Sequence, residues 1–249
     1  MNNHSAMLSA FLFLCTGSAS SAVAAQAPDR YRHVLNAQEL LDVSRDPAYA
    51  AFVRPLSGNM LYVRIPIFHA ATSSQLHAAL KDLPMDAGPQ KMLLDLRGNH
   101  GGIINAAIEV ADEFIGAGVL ARTAGIEDQP DMVFMATPEG LLQGGHVLVL
   151  VDGQTASAAE LLAGILRVNA NAKLAGRNTF GKSAVQARDA QADGSILAHT
   201  VARYYFSDGS SVPEQGLRPD FRWPQRIVKK TLPTHDSNAE RLRLDHALK

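Results

Sequence analysis

Three apolar runs, Met60 to Phe68, Met92 to Leu96 and Val147 to Val151, are each followed by a small or polar turn and then by a segment with apolar residues at helical spacing. Strands that alternate with helices of this length specify an α/β domain. The pattern predicts a strand over Met60 to Phe68 and a helix capped by Ser73 that carries Leu76, Leu80 and Leu83. It then predicts a second buried strand from Met92 to Arg97, a helix from Ile104 to Phe114, a third strand from Val147 to Val151 and a helix from Ala158 to Val168. Beyond Lys182 the period changes to two, notably over Ile196 to Phe206, with a turn at Asp208-Gly209-Ser210. The expected fold class is therefore α/β with a β-rich C-terminal part.

The 249 residues are 47% hydrophobic and 19% charged, enough to bury one substantial core. A formal net charge of -1 provides no long-range field for nucleic acid or an anionic membrane, so neither is an expected partner. At the N-terminus, the apolar run Ala6 to Cys15 and the small residues up to Ala25, including Ala22-Val23-Ala24, read as a signal peptide over residues 1–24. Its n-region is weak, because no Lys or Arg precedes Arg30. About ten apolar residues are too few to span a bilayer, which needs roughly 20, so no stable membrane span is expected after cleavage. The expected location is periplasmic or secreted. Cys15 is the single cysteine, and Leu14 before it does not suit a lipid-attachment site. Loss of residues 1–24 would exclude thiol catalysis and cysteine-ligated metal. Residues 25–58 are expected to be an N-terminal helical extension with a helix around Ala37 to Val43, residues 59–224 the main domain, and residues 225–249 a tail with an amphipathic helix over Ser237 to Leu248.

Two stretches carry the chemistry, Gln154-Thr155-Ala156-Ser157-Ala158-Ala159-Glu160 and, 25 residues on from Ser157, the segment Thr179-Phe180-Gly181-Lys182-Ser183-Ala184-Val185-Gln186. A serine hydroxyl becomes a nucleophile when a neighbouring base takes its proton, and a desolvated lysine can be that base. Ser157 stands between a strand and a helix, where the first-turn amides lack intrahelical partners and favour negative charge. A serine there can equally be a plain helix cap. In an extended chain Gln186 shares a face with Lys182, and a neutral amide can orient the lysine without stabilising its charged form.

These stretches resemble the motifs of the C-terminal processing (tail-specific) peptidases, serine endopeptidases with a Ser-Lys dyad often extended by Gln. The likeness also runs through Leu94-Asp95-Leu96-Arg97-Gly98-Asn99-His100-Gly101-Gly102, Val110-Ala111-Asp112 and Gly216-Leu217-Arg218-Pro219-Asp220, in the family's order. It implies the α/β spiral of Clp peptidases and crotonases. Carried over by position, it implies Ser157 as nucleophile, Lys182 as general base and Gln186 as the residue that orients the lysine. The oxyanion hole would combine the Ala158 N–H with one from Gly101 or Gly102. No metal or cofactor is implied. The family usually has Pro at His100, Ser at Ala159 and Gly at Ser183, none of them a proposed catalytic group. Many members carry a PDZ domain, and the stretch between the signal and Met60 is too short for one, since even small domains start at about 50 residues. The expected substrates are short or unfolded peptides, with an adaptor as an alternative means of delivery.

Two rivals remain. Gly176 to Ser183 satisfies the phosphate-loop pattern G-x-x-x-x-G-K-[ST], which requires a helix immediately after the lysine. A non-catalytic peptide-binding member would keep the fold and lose the chemistry. No H-E-x-x-H and no G-x-S-x-G occurs, so His33, His69, His100, His146 and His199 read as surface or satisfied polar residues. Asp95 with Arg97 reads as a structural pair that holds the glycine-rich turn, and Arg226, Lys229 and Lys230 as a solvated face.

Overall fold

Strands buried on both faces read as continuous apolar runs, and the runs of this chain form the centre of a parallel sheet. The computed structural model describes residues 47–56, 59–83, 91–190 and 196–222. The signal segment, the helix expected at Ala37 to Val43, the cluster at Arg226 to Lys230 and the expected C-terminal helix lie outside the described residues. The first sheet takes β1 (Phe52–Leu56), β2 (Met60–Arg64), β3 (Lys91–Asp95), β6 (His146–Val151) and β7 (Lys173–Gly176), in that spatial order. Strands β2, β3, β6 and β7 are parallel, in a register that sets Leu61 beside Met92 and Leu93 beside Leu148. Strand β1 is antiparallel to β2 and starts the sheet upstream of Met60, in the stretch expected to be a helical extension. Pro55 suits that edge position, because a proline cannot donate to a ladder on both sides.

Helices α1 (Thr72–Lys81), α2 (Ile104–Asp112) and α3 (Ala158–Ala170) carry the apolar stripes expected of them. Ser73 is not the cap of α1. The helix begins two residues earlier than such a cap requires, at Thr72 with Ala71 in the cap position, and Thr72 Oγ1 accepts the His69 N–H at 2.9 Å. Strand β2 stops at Arg64, short of Phe68, where Pro66 removes a ladder donor; Phe68 then forms a separate parallel bridge with Gly102. Helix α2 ends at Asp112, and the chain continues through turns to Phe114.

A second, fully antiparallel sheet has the order β5 (Met132–Met135), β4 (Val119–Gly125), β9 (Ile196–Phe206), β8 (Ala184–Ala190). The period-two segment thus forms the longest strand, and β4 and β5 are additions that the sequence pattern did not mark. Helix α3 lies between the sheets, in contact with β6 and β7 of the first and β4 and β9 of the second. Every residue from Ala158 to Leu166 is buried, which accounts for the lack of a polar face in Ala-Ala-Glu-Leu-Leu-Ala-Gly-Ile-Leu. Among the described residues no helix is long and apolar enough to cross a membrane.

Candidate active site

Ser157 occupies the last turn position before α3, with φ 55° and ψ -118°. Few non-glycine residues hold a positive φ, and such strain costs of order 1–3 kcal/mol, so the surroundings must enforce it. They do so through the turn that follows β6. Asp152 Oδ1 accepts the N–H groups of Gln154 at 3.0 Å and Thr155 at 3.2 Å, and also that of Gly98 at 3.1 Å. Thr155 Oγ1 donates to Leu96 O at 2.9 Å, and Ala156 N–H donates to Asn99 O at 3.0 Å. The turn after β6 is therefore fastened to the turn after β3.

Buried Asn99 organises that second turn. Its Nδ2 donates to Ile65 O and its Oδ1 accepts the Gly101 N–H, both at 2.8 Å. Gly101 and Gly102 have φ of 101° and 130°, and a Cβ at Gly101 would stand 3.0 Å from Ser157 Cβ and 3.1 Å from Ala158 N. A Cβ at Gly102 would strike Phe68 O at 2.0 Å. Close approach and dihedral thus both demand glycine. The Gly101 N–H is already taken by Asn99, whereas the Gly102 and Ala158 N–H groups have no acceptor among the described residues. At the foot of this turn Arg97 forks onto Asp95, with Nε at 2.8 Å from Oδ1, and the Tyr62 hydroxyl donates to Asp95 Oδ2 at 3.0 Å. The Asp95–Arg97 pair is structural, as expected.

Lys182 lies just before β8 and is only 6% exposed. Its Nζ donates to Gln186 Oε1 at 2.8 Å, the same-face relation expected of an extended chain. Fully buried Glu160 accepts the N–H of Ser157 at 2.9 Å, of Gly181 at 2.7 Å and of Lys182 at 2.8 Å, and the Thr179 hydroxyl at 2.5 Å. Burial pushes the Glu160 carboxyl above its ordinary range, and those four donors oppose the shift. Tyr204, fully buried on β9, directs its hydroxyl at Lys182 O (2.5 Å) and Ser157 O (3.1 Å). The peptide groups of Ser157 and Lys182 are thus held at N–H by one carboxylate and at C=O by one phenol. Sequence reasoning gave no role to Glu160, Tyr204 or Asn99. The spacing Ser157-x-x-Glu160, that of a capping box, was a usable signal for the first of them.

The segment after β9 braces the lysine from outside, since Leu217 N–H donates to Thr179 Oγ1 at 2.7 Å and Thr179 N–H to Leu217 O at 3.2 Å. The phosphate-loop reading fails here. Strand β8 occupies the place of the required helix, and the Gly181 and Lys182 amides, which would cradle a phosphate, already face a carboxylate. Of the histidines, His100, His146 and His199 are exposed, while His69 is buried, its pKa lowered by burial, with Nδ1 accepting the Ala71 N–H at 3.2 Å. Among the described residues no group of three or more His, Cys, Asp or Glu side chains could hold a metal ion.

Comparison with known proteins bears on the same stretch. The model of peptidase family S41 matches residues 59–223. The carboxy-terminal-processing protease of Bartonella bacilliformis is 34% identical over 181 residues, covering 72% of this chain and 41% of the relative. The carboxy-terminal processing protease of Bacillus subtilis is 32% identical over 184 residues, covering 73% and 39%. The solved structure of a photosystem II D1 C-terminal processing protease superposes with a TM-score of 0.59 at 31% identity, over 70% of this chain and 45% of that one. The chain spans less than half the length of these relatives.

Proposed function

The chain belongs to peptidase family S41, and on that premise we propose that it is an exported serine endopeptidase that hydrolyses peptide bonds in unfolded or C-terminal segments of proteins. Lys182 Nζ takes the proton of Ser157 Oγ as that oxygen attacks the peptide carbonyl. The Ala158 and Gly102 amides bind the oxyanion, the choice of Gly102 over Gly101 resting on the Asn99 hydrogen bond that occupies Gly101. The tetrahedral adduct collapses as the lysine ammonium returns the proton to the leaving amine, and water then cleaves the acyl-enzyme ester. Gln186 holds Nζ with a neutral acceptor, so the lysine is oriented without an added negative charge.

The observation that carries this reading is the common anchoring of Ser157 and Lys182 by Glu160 and Tyr204. A helix cap needs no such link to a lysine on another sheet. The substrate class follows the names of the relatives, and export follows the signal-like residues 1–24. Two alanine variants test the chemistry. Ser157→Ala and Lys182→Ala should each lower cleavage of an unfolded protein by at least ~10³-fold while the melting temperature stays near that of the parent chain. Substantial cleavage by either variant overturns the mechanism.

A further inference from the structure

The Tyr204 hydroxyl contacts no expected substrate atom, yet it touches both halves of the dyad. Its ring is fully buried in the second sheet, its oxygen reaches Lys182 O and Ser157 O, and Ser157 keeps a second donor to the same carbonyl from Leu161 N–H at 2.9 Å. Ser157 is held in a strained conformation and Lys182 lies just before a strand of the other sheet, so the Tyr204 hydroxyl on the carbonyl side, together with Glu160 on the N–H side, ties the two together.

We propose that Tyr204 is a positioning residue that sets the spacing of the Ser157 nucleophile and the Lys182 base, so that the second sheet controls the rate of acylation. The proposal rests on the Ser-Lys reading above. Burial and the Glu160 charge keep the phenol protonated far above neutral pH, so the donor is present throughout the working range.

Tyr204→Phe removes one oxygen and leaves the ring in place. The enzyme and its variants are first titrated with a fluorophosphonate, which forms an Oγ–P bond at the reactive serine and releases fluoride, so that turnover is expressed per reactive site. For Tyr204→Phe the kcat per titrated site should fall ~10-fold or more with KM within about twofold, as expected for a displaced proton acceptor. Ser211→Ala is the control. It removes a donor to the Tyr204 carbonyl, Ser211 Oγ at 2.6 Å, without touching the phenol, and should leave kcat unchanged. A kcat for Tyr204→Phe within about twofold of the parent, or a variant that does not fold by circular dichroism, overturns the proposal. If the parent chain is not labelled at Ser157, the Ser-Lys reading fails instead, and the two failures are told apart by that first titration.

Discussion

The parallel sheet delivers Ser157 on a turn fastened largely to another turn of the same sheet, whereas the antiparallel sheet delivers Lys182 on a segment fastened from the helix between the sheets, from β9 and from the chain beyond it. Around Ser157 the partners are Asp152, Thr155 and the adjacent turn at Leu96 to Gly101, all at the carboxyl ends of parallel strands, where open α/β sheets commonly bind ligands. Around Lys182 they are Glu160 from α3, Tyr204 from β9 and the returning chain at Leu217. The turn that carries Ser157, the proposed nucleophile, is therefore set within one sheet, whereas the placing of Lys182, the proposed base, and the contacts that tie Ser157 to it belong to the joint between two. Changes at the joint should separate Ser157 from Lys182, and changes within the turns should disable the serine side alone.

Glu160→Ala attacks the joint at its most connected point and should have the largest effect. It leaves three backbone N–H groups and the Thr179 hydroxyl without their acceptor in a fully buried position. Each orphaned donor costs ~1–3 kcal/mol, and because the losses are not additive a total of ~3–5 kcal/mol is expected in urea unfolding, with cleavage abolished. A loss below about 0.5 kcal/mol, ordinary for a surface site, would break the distinction between local and joint anchoring. The same carboxyl adds a pH signature. Its folded pKa is raised by burial above the ordinary glutamate value of 4.5, so the native state binds the proton more tightly and this contribution to stability is lost as pH rises from that value through the folded pKa. The melting temperature of the parent chain relative to Glu160→Gln should fall over that range. A difference that stays flat from about pH 4 to about pH 8 would contradict the shift.

Asn99→Ala tests the local side. It frees the Gly101 N–H and the Ile65 carbonyl, and it loosens the turn that presses against Ser157. Loss of a fixed oxyanion donor lowers kcat by ~10²–10³-fold, and unfolding should cost ~1–3 kcal/mol, less than Glu160→Ala. Fluorophosphonate labelling by itself would not settle the point, so affinity for a peptide aldehyde, which builds the oxyanion, should fall together with kcat. If aldehyde affinity holds while kcat drops, the turn does not aim the donor.

The same contrast explains what could be read in advance. The runs at Met92 and Val147 are apolar because parallel strands bury both faces, and they announced themselves. Strand β4 did not, because it is half-buried, contains Thr123 and Gly125, and matches neither period. Ser157, Lys182, Gln186 and the paired glycines stood out because their side chains, or the lack of one, are specific to the motif. Glu160, Asn99 and Tyr204 act on backbone N–H and C=O groups, which every residue carries and no motif displays. Ser73 misled for a related reason, since Thr72 beside it can satisfy the same turn through the His69 amide.

The smallest expected effect comes from the packing of the joint and not from its hydrogen bonds. Gly164 is on the face of α3 toward β9, and a Cβ there would lie 2.0 Å from Phe206 Cζ and 2.1 Å from Cε1. Glycine within a helix is ordinarily destabilising relative to alanine by roughly 0.5–1 kcal/mol, so Gly164→Ala should stabilise α3 taken alone. The ring is only 2% exposed, however, and has little room to swing away. Overpacking of this kind costs ~1–3 kcal/mol, which exceeds the gain in helix propensity. The variant should therefore melt below the parent, with kcat reduced less than in Asn99→Ala, because the contact lies two helical turns from Ser157 and leaves both anchoring hydrogen-bond sets in place. Phe206→Leu in the same chain removes the struck ring atoms and should restore most of the lost stability. If Gly164→Ala alone is neutral or stabilising, α3 and β9 are not pressed together, and the joint is held by Glu160 and Tyr204 without help from packing.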